Sequence, residues 1–235
     1  MYKFMFLFLQ FFFYSVLGFI IEIISCTLVT KKITFSRGYL LGPYIPIFGF
    51  GAIIMVNFLD KYKDDLLILF ILSMIVCCLV EYFTSLLLEK IFKLRWWDYS
   101  HESFNVNGRI CLKNGVLFGL GGLVITKYFN PLLLMFLNAF SMKTIIIVGS
   151  ILFGIIILDT IISTFTISKL KINTKKYLNK DATSVVKLQV AQSLDKYSIF
   201  YKRIFHAFPH IKLNTNIVKL REFMDEFRKN NIKNK

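Results

Sequence analysis

The chain has 235 residues, 56% of them hydrophobic and only 18% charged, with a formal net charge of +15 and a mean hydropathy of +0.61. Soluble domains average about 45–50% apolar and about 25% charged residues, and the apolar excess here is clumped into runs near the roughly 20 residues that a bilayer crossing needs. Composition therefore excludes a soluble domain and predicts an all-α integral membrane protein, with about five transmembrane helices and a basic helical cytoplasmic tail.

Residues 4–29 are the first apolar run. A cleavable signal peptide would have a shorter core and a small-residue cleavage site. Lys31 and Lys32 follow instead, as in a stop-transfer flank, so the run is read as a helix. Within it Tyr14, Gly18, Glu22 and Cys26 recur every fourth residue, which places a small and polar stripe on one face.

Residues 33–52 carry Gly38, Gly42, Gly49, Gly51, Pro43 and Pro46. This density of glycine and proline predicts an irregular start to a second span at about 44–59. Irregular backbone at membrane depth persists only when buried in protein or lining a watery cavity, so Gly42 and Pro43 point to a cavity wall or a tight helix crossing.

A short loop, DKYKDD at 60–65, leads to a third span at about 66–92, where Cys77, Glu81, Ser85 and Glu89 form another four-residue stripe. The stretch from Glu81 to Leu112 then leaves the apolar run through Glu89, Lys90 and Lys93. It presents Trp96 and Trp97 side by side, followed by Asp98, Tyr99, Asn105, Asn107 and Arg109. Anchoring aromatics and hydrogen-bonding groups packed together at a membrane boundary have the character of a site's rim.

The fourth span is expected at about 111–129, with Gly115, Gly119 and Gly122 spaced for close helix approach. Asn130-Pro131 is expected to break it, leaving 132–140 as an interfacial or re-entrant piece. The fifth span, about 144–168, has Asp159, Ser163 and Thr166 on one face. The domain division is a transmembrane domain at 1–168 and a basic cytoplasmic helical tail at 169–235. The tail holds two amphipathic candidates separated by Pro209, the first built on Val186, Val190, Leu194, Tyr197 and Tyr201. The second places Ile217, Leu220, Met224 and Phe227 on one side, with Asn216 as its cap.

Lys and Arg concentrate in 31–40, in 90–113 and above all in the tail, which has sixteen of them against five Asp and Glu. With five spans these three segments share one side, giving an N-terminus outside and a C-terminus inside. The tail's charge fits attraction to anionic lipid; no nucleic-acid partner is expected. Cys26, Cys77, Cys78 and Cys111 lack metal-ligand spacing with the scattered His101, His206 and His210, so no metal, disulfide framework or cofactor is expected.

An acid near a helix centre costs about 2.5–3.5 kcal/mol to insert, so Glu22, Glu81 and Asp159 left unpaired would cost roughly 8–10 kcal/mol together. They are expected to face inward and to form one polar cluster on the cytoplasmic side with Arg37, Glu89, Arg95, Asp98 and Arg109. Within it, Arg37 or Arg109 is expected to neutralise Glu22 or Glu81. Trp97 is the expected interfacial anchor. No nucleophile elbow, zinc-protease motif, P-loop or other catalytic or nucleotide-binding signature is present, and no catalytic residue is assigned.

FFFYSVLGFIIE (11–22), RGYLLGPYIPIFGFG (37–51), EYFTSLLLEKIFKLRWWDYS (81–100) and FNVNGRICL (104–112) occur in the order found in a bacterial ABC-transporter permease family, the CmpB-like or type IV group, which this chain resembles over about residues 5–130. The resemblance implies a multi-pass permease of the bacterial cell membrane, a separate ATPase subunit and a homodimer or larger assembly. By motif it points to Glu22, Arg37, Gly42, Pro43, Glu81, Trp96, Trp97, Asp98, Asn107, Gly108 and Arg109. The leading expectation is a permease whose cytoplasmic-side polar cavity binds a solute or ion. The alternatives are a membrane enzyme acting on lipid head groups, in which Glu22 or Glu81 is the base and Arg109 holds a phosphate, and a non-transporting scaffold or regulator whose tail recruits a partner.

Overall fold

The computed structural model describes residues 1–31, 40–92 and 95–177. Arg37 and the amphipathic tail segments lie outside these residues. Among the described residues the regular structure is helical: α1 (Tyr2–Thr30), α2 (Pro46–Phe58), α3 (Leu66–Phe92), α4 (Leu112–Val124), α5 (Asn130–Asn138) and α6 (Met142–Tyr177). Four stretches of the described residues are long and apolar enough to cross a membrane: Tyr2–Leu28, Leu66–Phe92, Leu112–Asn138 and Met142–Ser168.

Two departures from the sequence reading have physical causes. First, α4 and α5 form one continuous helical stretch long enough to cross a membrane, because the five residues Ile125–Phe129 form a π-helical turn that joins them. Pro131 has no N–H to donate and its ring crowds the preceding turn. A widened π turn just before it absorbs that misfit without ending the helix. Residues 132–138 are thus the second half of a span, and the expected break and separate interfacial piece are corrected.

Second, the expected span at 44–59 is a helix of only 13 residues, about 20 Å long, against a hydrocarbon core of about 30 Å. Ile45 opens it in an extended conformation and Pro46 stands at its first turn, where a missing N–H does no harm. The non-helical residues 40–45 lead into it, as the glycines and prolines require. Their depth is set by α1: the Ile45 N–H donates to the Ser15 carbonyl at 2.9 Å, halfway along that helix.

Small residues set the helix crossings. A side chain at Gly18 would collide with Phe48, and one at Gly49 with Ser15 and Phe11, so α2 runs antiparallel along the N-terminal half of α1. Gly115, Gly119 and Gly122 let α4 close onto Met74, Phe70 and Ser73 of α3, as their spacing predicts. One core cluster gathers Tyr14, Ala52, Met55, Val56, Leu59 and Leu69. A second, of Met5, Leu9, Leu137 and Ile145, joins the start of α1 to the end of α5 and the start of α6. α1 and α6 therefore begin at the same end of the bundle and run parallel. Tyr14 donates to Asn130 Oδ1 at 3.0 Å, a buried bond tying α1 to the π turn.

Candidate functional site

Three polar assemblies arise from the stripes seen in the sequence. The first is centred on Asp159 of α6. Its Oδ1 accepts from the Leu41 N–H at 2.8 Å, and its Oδ2 accepts from the Gly42 N–H at 2.8 Å and the Tyr44 hydroxyl at 2.6 Å. Ser163, one turn on, donates to Oδ1 at 2.9 Å. Non-helical backbone inside a bundle has amides with no partner of their own, and one carboxylate here serves two of them. At Gly42 a side chain would run into the Tyr44 ring, so glycine is what lets the segment fold back onto Asp159. Pro43, exposed beside it, lies in this same turn. Tyr44 was not legible as a site residue, because its partner lies more than a hundred positions away.

The second assembly joins the end of α3 to the connector before α4. Arg109 donates to Ser85 Oγ at 2.9 Å, pairs with Glu89 at 2.7 Å and lies over the Tyr82 ring at 5.8 Å. Arg95 reaches the same Glu89 oxygen at 3.6 Å and Asp98 at 3.3 Å, and donates to the Asn107 carbonyl at 2.9 Å. One carboxylate thus clamps two arginines from opposite ends of the connector. The connector itself is a tight reversal: Asn107 and Gly108 both have positive φ, 53° and 64°, between the bridged residues Val106 and Ile110. That is the backbone Asn-Gly favours at a two-residue turn.

The remaining connector side chains hold this turn in place. Asn107 Nδ2 donates to the Tyr82 hydroxyl at 3.0 Å, and Trp97 Nε1 donates to the Arg109 carbonyl at 2.9 Å. Asp98 accepts from the Ser100 N–H and hydroxyl. Trp96 is buried edge-on against Phe92. An open hollow of about 400 Å³ lies beside this network, lined by Leu86, Glu89, Lys90 and Arg109.

The third assembly lies one turn before Ser85 on α3. Glu81 is only 7% exposed; its Oε1 accepts from the Tyr99 hydroxyl at 3.1 Å, and its Oε2 is buried with no hydrogen-bond partner among the described residues. Glu22 of α1 lies near enough for the two carboxyl groups to repel, and its Oε1 accepts a weak bond from the Cys26 thiol at 3.6 Å. Burial pushes the Tyr99 phenol well above its ordinary range, with the Glu81 charge, the bond to Glu81 and the Glu22 charge adding to it.

The expected single cluster is therefore divided. Arg109 is committed to Glu89 and Ser85 and does not hydrogen-bond to Glu81 or Glu22, and Asp159 serves a different segment. Glu89, Asp98, Asn107, Arg109, Trp97 and Gly108 do share one network. Tyr99 is legible in the sequence as one of the rim's hydrogen-bonding groups, but its partnership with Glu81 is not.

Four full-length apolar helices, a shorter half-helix led in by non-helical chain, and acids buried on inward faces define a polytopic helical membrane protein. The family model described as Putative ABC-transporter type IV matches residues 9–164, well over half of the chain. The chain belongs to that family, and the match runs past the expected limit near 130 to take in α5 and Asp159. Neither the curated proteins nor the solved structures contain a match.

Proposed function

We propose that this chain is the solute-passing membrane subunit of an ABC-type transporter, energised by a separate ATPase, with the α3–connector–α4 region as its polar site. Family membership over residues 9–164 is the observation that carries this reading. No nucleotide-binding motif occurs in the sequence, so the ATPase is another chain. Few crossings for a transport path favour two or more copies.

In this reading the chain crosses the membrane five times, the second crossing being residues 40–45 together with α2. Broken helices of this kind form binding sites at mid-depth in many transporters. The parallel course of α1 and α6, and the Lys and Arg of 31–40, 90–113 and the tail, support an outside N-terminus and an inside C-terminus. The basic segment 169–235 then lies on the cytoplasmic face against anionic lipid.

The test is a pull-down of the tagged full-length chain in gentle detergent, with mass spectrometry of proteins and lipids together. A stoichiometric ATPase is the expected result. Recovery of the chain alone with a tightly held lipid would overturn the permease reading in favour of lipid head-group chemistry.

A further inference from the structure

We propose that Glu81 and Glu22 form an intramembrane binding site for a singly charged cation, either a proton or an alkali-metal ion. The inference rests on the solute-binding reading of this region and not on the ATPase. Two carboxyl groups from different helices, α1 and α3, lie near enough to repel, and neither makes an ion pair with a described base. The connector's two arginines are spent on Glu89, Asp98 and Ser85.

The independent sign of a ligand is Glu81 Oε2, an acceptor in a side chain more than nine-tenths buried that has no donor among the described residues. An acceptor buried away from water calls for a donor or a cation. The groups that interact with Glu81 are Glu22 from α1, Cys77 and Cys78 from α3 and Tyr99 from the connector; Cys111, at the head of α4, interacts with Cys78 and Tyr99, and Cys26 lies one turn beyond Glu22. Among the described residues no set of three or more His, Cys, Asp or Glu side chains is gathered as a divalent metal would need. Two carboxyls and one phenol suit a single charge, and thiols are poor ligands for hard divalent ions.

The test uses the full-length chain in lipid nanodiscs and the apolar reagent dicyclohexylcarbodiimide, which modifies only a carboxyl that carries its proton. That proton moves to a carbodiimide nitrogen, the carboxylate oxygen adds to the central carbon, and acyl migration to nitrogen gives a stable acylurea with no leaving group. Peptide mass spectrometry is expected to place the adduct on Glu81 in the parent and in the distant control Asp64→Asn, and to find that site unmodified in Glu81→Gln.

Loss of labelling with rising pH, indifferent to salt, identifies the proton. Suppression by sodium or potassium at fixed pH identifies a metal ion. Glu22→Gln keeps Glu81 in place and is expected to change the pH or salt at which labelling is lost, which covers the case in which Glu81→Gln does not fold. Glu81 unmodified at every pH in salt-free buffer, together with superimposable carboxylic-acid infrared bands for parent and Glu81→Gln, would overturn the proposal. Absence of an ATPase in the pull-down would leave this result unaffected, so the two readings fail separately.

Discussion

Asp159 and Glu81 are buried to the same degree, each 7% exposed, and the fold treats them in opposite ways. Asp159 takes four donors and holds a non-helical segment against α6. Glu81 takes one, and its second oxygen has no donor among the described residues. Both residues meet the same expense on entering a membrane. The first offsets it within the chain, as a structural acid does. The second is only partly offset, which is the condition of a group awaiting something else.

The comparison breaks first at Asp159. Asp159→Ala strands the Leu41 and Gly42 amides and the Tyr44 hydroxyl, and is expected to remove at least about 3 kcal/mol of stability. Asp159→Asn, which keeps one acceptor oxygen, should lose roughly half as much. Thermal unfolding in detergent reads both, and an alanine variant as stable as the parent would erase the distinction drawn here.

Next in size is Gly108→Ala. Its φ of 64° disfavours a side chain by about 1–2 kcal/mol, and the new carbon would crowd Asp98 and Ser100. Hydrogen exchange across 95–110 is expected to accelerate while the α1–α2 region stays protected. Equal acceleration in both regions would mean that they are not separate units.

Tyr99 gives a pH signature on the Glu81 side alone. Its phenol is raised above the ordinary value of 10.0, so the unfolded chain loses this proton first. The stability it contributes is complete below pH 10 and falls as pH rises further, by up to about 1.4 kcal/mol per unit. The stability difference between the parent and Tyr99→Phe, set by the bond to Glu81, should therefore be constant below that pH and shrink only above it. The smallest effect belongs to Glu89→Gln: Glu89 is 38% exposed, so loss of its pairs should cost under about 1 kcal/mol. That difference should shrink further in high salt.

Periodicity made the helices legible, and with them the stripes on α1 and α3, the glycine crossing of α3 and α4, and the irregular start of α2. Local chemistry also made the connector legible as a boundary site. What it hid were partners. Nothing near Asp159 in the sequence announces Leu41 and Gly42, and nothing near Arg109 decides between Glu81 and Glu89, two turns apart on one helix. Asn130-Pro131 misled for a related reason. A proline's local penalty is readable, but the π turn that absorbs it is stabilised by packing and by the distant Tyr14.

The Asp159 contacts also carry an implication in time. Leu41 and Gly42 precede their acceptor by 118 and 117 positions, which at cellular synthesis rates is on the order of ten seconds. For that interval the first half of the chain holds polar backbone without its final partner. The segment at 40–45 is therefore completed only when α6 emerges, and a nascent chain stalled before α6 would hold the Leu41 and Gly42 amides without their final acceptor.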